Sequence, residues 1–166
     1  MHEKIWFIDT VVLSNFAFAD QVKWLESRYG LNLKITGEVY QETLKGFNSG
    51  YSKLSSILEH IENKKFGTVE LSPLEKKQCY ALNQTLGLGE ASCIAAASHR
   101  KGIVITDDRT ARQFCQEKSI NFTGTIGILK ASCLDGSISL KEADMALKTM
   151  ISFGFYSPVA RISDIL

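Results

Sequence analysis

Residues Leu86 to Arg112 read LGLGEASCIAAASHRKGIVITDDRTAR, a run that holds three acids at the ends of regular elements. Gly87 and Gly89 interrupt the chain before Glu90, which begins a small-residue helix, ASCIAAASHR, that Gly102 ends. Ile103 to Ile105 follow as a fully apolar strand, and Asp107 and Asp108 stand between it and a further helix whose inner face carries Ala111, Phe114 and Cys115. Alanine and serine along the first helix predict close packing against a sheet. Acids at such strand and helix ends, unlike those spread along an exposed helix face, can converge outside one sheet edge.

The same order of strand, acid and helix occurs at the start of the chain. KIWFI (Lys4 to Ile8) is a compact strand run, Asp9 follows it, and Val12, Leu13, Phe16 and Ala19 fall at helical spacing from Thr10 to Asp20. A second amphipathic piece runs through Tyr29 to a stop at Gly30. LNLKI (Leu31 to Ile35) is the next strand, and Thr36 is placed to cap a helix ending at Gly46 that carries Glu38 and Glu42 on one face. Tyr51, Leu54, Ile57, Leu58 and Ile61 mark a helix, Asn63 to Gly67 a turn, and Thr68 to Leu71 a strand. Ser72, Pro73 and Glu75 form a capping-box start for a helix reaching about Leu86. Beyond the opening stretch come a minimal strand at Asn121 and Phe122, a helix IGILKASCL stopped near Gly136, and a helix defined by Leu140, Ala143, Leu147, Met150 and Ile151. Ser157 and Pro158 are placed to cap a short last helix reaching Leu166. Strands alternating with helices predict an α/β fold with a parallel sheet.

The 166 residues suit one domain, 1–166, with about 1–130 as its core and 131–166 as a C-terminal helical packing region. Hydrophobic residues make up 45% and charged residues 22%, which excludes a disordered or low-complexity chain. MHEKIWFIDT carries an early acid and no signal-like apolar run, and no stretch approaches a membrane span, so a soluble cytoplasmic protein is expected. Cys79, Cys93, Cys115 and Cys133 lie in helical apolar patterns and, with His2, His60 and His99, show no zinc or disulfide spacing. His99 precedes Arg100 and Lys101 at a helix end, where cations complement the helix dipole. The net charge of +1 hides an uneven distribution, because setting aside Asp9, Glu42, Glu90, Asp107 and Asp108 leaves 19 basic against 13 acidic residues. Such a body can draw a polyanion toward an acidic pocket that a cation makes hospitable.

A parallel sheet would bring the ends carrying Asp9 and Asp107–Asp108 to one edge, near Glu42 and Glu90. Carboxylates gathered there repel unless a divalent cation is bound, and an oxygen-only set favours Mg2+ or Mn2+. Simpler roles compete: Asp9 and Asp108 as helix N-caps, and Glu90 as a first-turn acid. Capping needs only one Asp, however, so the adjacent pair exceeds that need.

FIDT around Asp9, TGEVYQE ending in Glu42, LGLGEASCIAAA around Glu90, VITDDRTAR, and FTGTIGIL together resemble a PIN-domain protein of the branch near VapC-type toxins. The resemblance covers nearly the whole chain. It implies a three-layer α/β/α sandwich with a central parallel sheet and a metal-dependent ribonuclease that leaves a 5′-phosphate on the downstream piece. Carried over by position, the catalytic quartet is Asp9, Glu42, Glu90 and Asp108. Asp9 and Asp108 are implied as the main ligands of Mg2+ or Mn2+, Glu42 and Glu90 complete the site directly or through waters, and Asp107 is an added acid that either joins the metal ligands or stands behind them. Glu90 stands where many relatives have Asp, and Glu38 competes with Glu42 for the second position. Thr10 and Thr106 are implied to orient carboxylates or a phosphate. Arg109, Arg112 and Lys130 are candidate strand contacts, with solvated surface charge as the alternative. An RNA substrate, a cognate antitoxin protein and a homodimer are the implied partners.

Two other readings remain beside it. A haloacid dehalogenase-type phosphatase would share the strand-end Asp9 and the distal acid pair, but its nucleophile motif wants a second Asp where this chain has Val11. A non-catalytic binding module would use the acids to hold a structural ion or a basic segment. Dinucleotide binding is poorer, since Gly87-x-Gly89 lacks a third glycine and a preceding strand.

Overall fold

Five short parallel strands form the centre of the computed structural model, which describes residues 3–166. His2 lies outside them. The strands are β1 (Trp6–Ile8), β2 (Leu33–Thr36), β3 (Gly67–Val69), β4 (Ile103–Ile105) and β5 (Phe122–Thr123), in the spatial order β3-β2-β1-β4-β5. In register, Trp6 lies opposite Leu33 on one side and Ile103 on the other, so β1 and β4 end together. Helices cover both faces, giving the three-layer α/β/α architecture expected from the sequence. The chain moves from β1 outward to β3, then returns to β4 and moves outward the other way to β5. The boundary between β1 and β4 is therefore the topological switch point, where α/β sheets open a crevice beyond their strand ends.

The helices are α1 (Thr10–Phe18), α2 (Val22–Tyr29), α3 (Gly37–Asn48), α4 (Ser55–Glu62), α5 (Pro73–Leu82), α6 (Leu88–Arg100), α7 (Arg109–Glu117), α8 (Thr125–Leu134) and α9 (Leu140–Ser152). Local chemistry explains several starts. Thr36 caps α3 through Val39 N, and Ser72 and Glu75 close a reciprocal capping box on α5. α6 is the central buried helix. Its run from Ala91 to Ala97 is buried throughout, and small side chains let it lie against β1, β2 and β4. None of the helices among the described residues is long and apolar enough to cross a membrane.

Several boundaries differ from expectation. α6 ends because Lys101 adopts the left-handed conformation (φ +55°), while Gly102 serves a different need: a Cβ there would overlap the Phe7 ring. α3 passes through Gly46 to Asn48, and α5 stops at Leu82, four residues early. Ser157 and Pro158 start no helix. The Ser157 hydroxyl closes a local turn on Val159, and only a single 3-10 turn, Ile162–Asp164, follows. That turn is fastened to α9, where Asp144 accepts hydrogen bonds from the backbone and hydroxyl of Ser163.

One ion pair locks α6 to α5. Arg100 donates from Nε to Glu75 Oε2 at 2.8 Å and from Nη2 to Glu75 Oε1 at 2.7 Å, and Nη2 also reaches the Glu70 carbonyl. Hydrogen bonding from Arg100 holds the buried Glu75 carboxyl down at about 2, from an ordinary 4.5. This stabilisation is present above pH 4.5 and is lost as pH falls through 2. Arg100→Ala should lower the unfolding free energy by about 2–3 kcal/mol at pH 7, since a buried carboxylate loses its partner. Urea titrations should show that deficit shrinking between pH 4.5 and 2.

Candidate active site

The carboxyl edge at the switch point opens into a pocket of about 740 Å³ lined by Asp9, Glu42, Glu90, Asp107 and Asp108. Arg109 is its single basic lining residue. Asp9 enters from the end of β1, where its backbone N–H continues the ladder to Ile105 O at 3.0 Å. Asp107 and Asp108 enter from the end of β4, Glu90 from the first turn of α6, and Glu42 from the middle of α3. All five acids proposed from the sequence thus face one cavity.

The capping roles are real, and most leave an oxygen over. Asp9 Oδ1 accepts from Val12 N at 2.9 Å to cap α1, and Asp108 Oδ1 accepts from Ala111 N at 2.7 Å to cap α7. Glu90 Oε2 accepts from Gly87 N at 3.2 Å. In each case the second oxygen has no protein donor among the described residues. For Asp9 this matters most. The residue is 1% exposed, and its Oδ2 is buried without any hydrogen-bond partner. Burial pushes the Asp9 carboxyl up to about 7 from 3.8, and the charges of Glu90 and Asp107 push the same way. The Val12 amide and the nearby Thr106 hydroxyl oppose this rise. Burial, then the charge of Asp108, also raises Glu90.

Glu42, rather than Glu38, lines the pocket. Its Oε1 accepts from the Thr10 hydroxyl and its Oε2 from Gly89 N at 3.3 Å, which ties α3 to α1 and α6. A Cβ on Gly89 would overlap the Glu42 carboxylate and crowd the Thr10 hydroxyl at 3.0 Å, so glycine is needed here for close approach. Glu38 points away, toward Cys79, with its Oε1 buried and unpartnered.

Asp107 differs from the other acids in having both oxygens occupied. Oδ1 accepts from Thr125 N at 2.8 Å at the start of α8, and Oδ2 accepts from the Thr125 hydroxyl at 2.6 Å and from Asn15 Nδ2 at 3.3 Å. Arg112 lies 3.7 Å away, and a Cβ on Gly124 would overlap both Asp107 and Arg112. Arg112 itself donates to the Thr106 carbonyl at 2.8 Å and covers the Phe122 ring, outside the pocket lining. Thr106 is fully buried, its hydroxyl accepting from Asp108 N at 3.2 Å, so it can orient a carboxylate but not touch a substrate. Lys130 is exposed on α8 and away from the lining.

Among the described residues no three acid, histidine or cysteine side chains form a ready-made metal cage. The donor set nonetheless fits a hard, water-retaining cation. Mg2+ characteristically keeps several waters and takes only one or two carboxylates, and Asp9 Oδ2 is a buried carboxylate oxygen without a partner among the described residues.

Reading the late segment as packing alone missed one wall of the pocket. After α9, Gly154 (φ +109°) turns the chain and Phe155 N bonds back to Met150 O at 3.0 Å, so Phe153 to Tyr156 cross the pocket mouth. Phe18 and Tyr51 line the same side. Periodicity offers no signal for this, since the residues lie outside any regular element.

The chain belongs to the PIN-domain family, whose model matches residues 5–166. That membership sets aside the haloacid dehalogenase alternative. No curated protein matches. Among solved structures the chain is similar to VapBC2 from Rickettsia felis bound to a DNA fragment from its promoter (13% identity, TM-score 0.50, covering 72% of this chain and 98% of that one). It is similar in the same way to VapBC-1 from nontypeable Haemophilus influenzae (14% identity, TM-score 0.50, covering 73% and 98%). A toxin–antitoxin complex from Klebsiella pneumoniae shares 19% identity over 61% of this chain and 85% of that one, with a TM-score of 0.47.

Asp9 should tune metal-free stability with a definite sign. Its folded pKa of about 7 exceeds the unfolded 3.8, so its neutral form suits the fold, and stability is lost as pH rises through 7. In EDTA, Asp9→Asn should therefore be more stable than the parent at pH 8, by at most about 4 kcal/mol, with no advantage at pH 4. Thermal melts at the two pH values would expose the opposite trend. Gly89→Ala should cost about 1–3 kcal/mol in the same melts, because Glu42 and Thr10 must shift.

Proposed function

We propose that this PIN-domain protein is a Mg2+- or Mn2+-dependent endoribonuclease, and that the acidic pocket at the switch point is its active site. The observation that carries the proposal is the buried, unpartnered Oδ2 of Asp9 at the meeting point of four other carboxylates. Asp9 and Asp108 would hold the cation, with Glu90 joining directly or through water. Asp107, whose oxygens are taken by Thr125 and Asn15, would instead fix the edge of the site through α8. When bound, Mg2+ or Mn2+ polarises a phosphoryl group and makes water a stronger nucleophile at neutral pH.

The chain's own groups would do the rest. Glu42 is held by Thr10 and Gly89 N, and so keeps a fixed place in the pocket lining. Glu90, raised by burial, is suited to accept the proton that water gives up. Hydrolysis adds water across the phosphodiester: its oxygen bonds to phosphorus, the P–O3′ bond breaks, and the 3′ oxygen leaves with a proton. The downstream piece keeps a 5′-phosphate. Arg109, at the pocket mouth, would meet the strand's phosphates.

On this reading the chain is the toxin of a pair, with a cognate antitoxin protein and a second copy of itself as partners. The resemblance of its acidic motifs to VapC-type proteins supports this, as does the shared fold of the two VapBC neighbours with TM-scores of 0.50.

Purified protein should cleave RNA in Mg2+ or Mn2+ and fall silent in EDTA. Asp9→Asn should retain its circular dichroism spectrum and lose at least about 100-fold in rate. Full activity in that variant would remove the assignment, and hydrolysis of p-nitrophenyl phosphate would indicate a phosphatase instead. A wild-type protein that cleaves no RNA in either metal would leave the acids as a non-catalytic binding module.

A further inference from the structure

The pocket has two chemically distinct halves. Its floor is acidic, as described, but its exposed rim is aromatic: Tyr51 is 60% exposed, Phe153 49% and Tyr156 95%. Val11 is the one large aliphatic side chain that joins them at the mouth. Rings so exposed cost solvation without contributing to the core. Phe155, between two of them, packs inward, so the segment presents Phe153 and Tyr156 outward by its conformation. Phe153 is held in place by Phe18, whose ring stacks on it at 4.9 Å with planes 7° apart, and Tyr51 leans on the far side of Phe18 at 6.2 Å. Lys53, paired with Asp20 at 2.8 Å, places its ammonium 5.4 Å from the Phe153 ring.

We infer that this rim is a base-stacking subsite, in which Tyr51, Phe153 and Tyr156 hold nucleobases next to the phosphate that lies over the carboxylates. The inference rests on the nuclease reading of the pocket and adds to it the residues that grip the strand. Aromatic faces accept any base, since every base has a π-face, and each such contact is typically worth a severalfold or greater gain in affinity. A base can reach these rings only if it is unpaired. Arg109, in the pocket lining, and Lys53, beside the Phe153 ring, would offset the charge of adjoining phosphates against the acidic floor. The rim therefore gives a pocket lined by five acids a way to bind a polyanion, without depending on phosphate contacts alone.

The test uses RNA of about ten nucleotides, labelled with a fluorophore, and the full-length Asp9→Asn protein so that binding is read without cleavage. Tyr156→Ala and Tyr51→Ala on that background should each weaken binding by about 5- to 50-fold. Tyr156→Phe should restore it, because the ring and not the hydroxyl makes the contact. The same RNA carrying an abasic residue beside the cleavage position should bind the parent more weakly, yet lose nothing further with Tyr156→Ala. Both alanine variants binding as the parent does, or losing equally on intact and abasic RNA, would overturn the subsite. So would variants that keep RNA affinity and lose association with a protein partner. The two proposals fail separately: cleavage by the otherwise wild-type enzyme that ignores both tyrosines keeps the nuclease and removes the rim. Tyrosine-dependent RNA binding without metal-dependent cleavage does the reverse.

Discussion

A carboxylate oxygen buried without a donor is the constraint around which this molecule is arranged. Asp9 Oδ2 sits there because β1 and β4 end in register, with Ile8 and Ile105 fully buried beneath and the backbone of Asp9 bonded across to Ile105. An unsatisfied buried polar group costs about 1–3 kcal/mol, more when charged. The Thr106 hydroxyl, which accepts from Asp108 N, lies close enough to pull the Asp9 pKa down, but burial outweighs it. Among the described residues Asp9 Oδ2 is left without a donor, and burial raises the carboxyl to about 7.

The surrounding acids use their oxygens in two ways. Asp9, Asp108 and Glu90 each give one oxygen to the start of a helix, where the exposed N–H groups and the dipole favour negative charge. The other oxygen is left to the pocket. Capping thus holds each of these carboxylates still at the pocket lining. Asp107 shows the opposite limit. With Thr125, Asn15 and Arg112 all around it, it fastens α8 to the end of β4.

Much of this was legible in the sequence because it depends on local chemistry. Strand runs followed directly by an acid, the Thr36 cap and the Ser72–Glu75 box are encoded within a few residues, and so the sheet, the helices and the convergence of Asp9, Glu90 and Asp108 follow from them. The choice between Glu38 and Glu42 was different. Both lie on one side of α3, and only the rotation of that helix against α1 and α6 decides which reaches the pocket and which turns toward Cys79. Gly89, Gly102 and Gly124 were equally opaque, because each is required by a side chain distant in sequence: Glu42, Phe7 and Asp107. Patterning reports what a residue does for its own element, and these residues serve another.

The aromatic rim lay furthest from view for the same reason. It joins Phe18 and Tyr51 to a segment about a hundred residues later, through a turn at Gly154 and the clasp of Ser163 on Asp144. The floor of the pocket is built from strand ends and helices packed on the sheet, whereas most of the rim hangs on a short irregular segment held by the Phe18–Phe153 stack and by Phe155. That division has a physical consequence. Replacing a floor residue disturbs a cap, a strand end and the charge balance together, while replacing Tyr156 disturbs nothing the core depends on. The acidic floor and the aromatic rim are therefore structurally separable, the one tied to the sheet and the other to Tyr51 and the segment after α9.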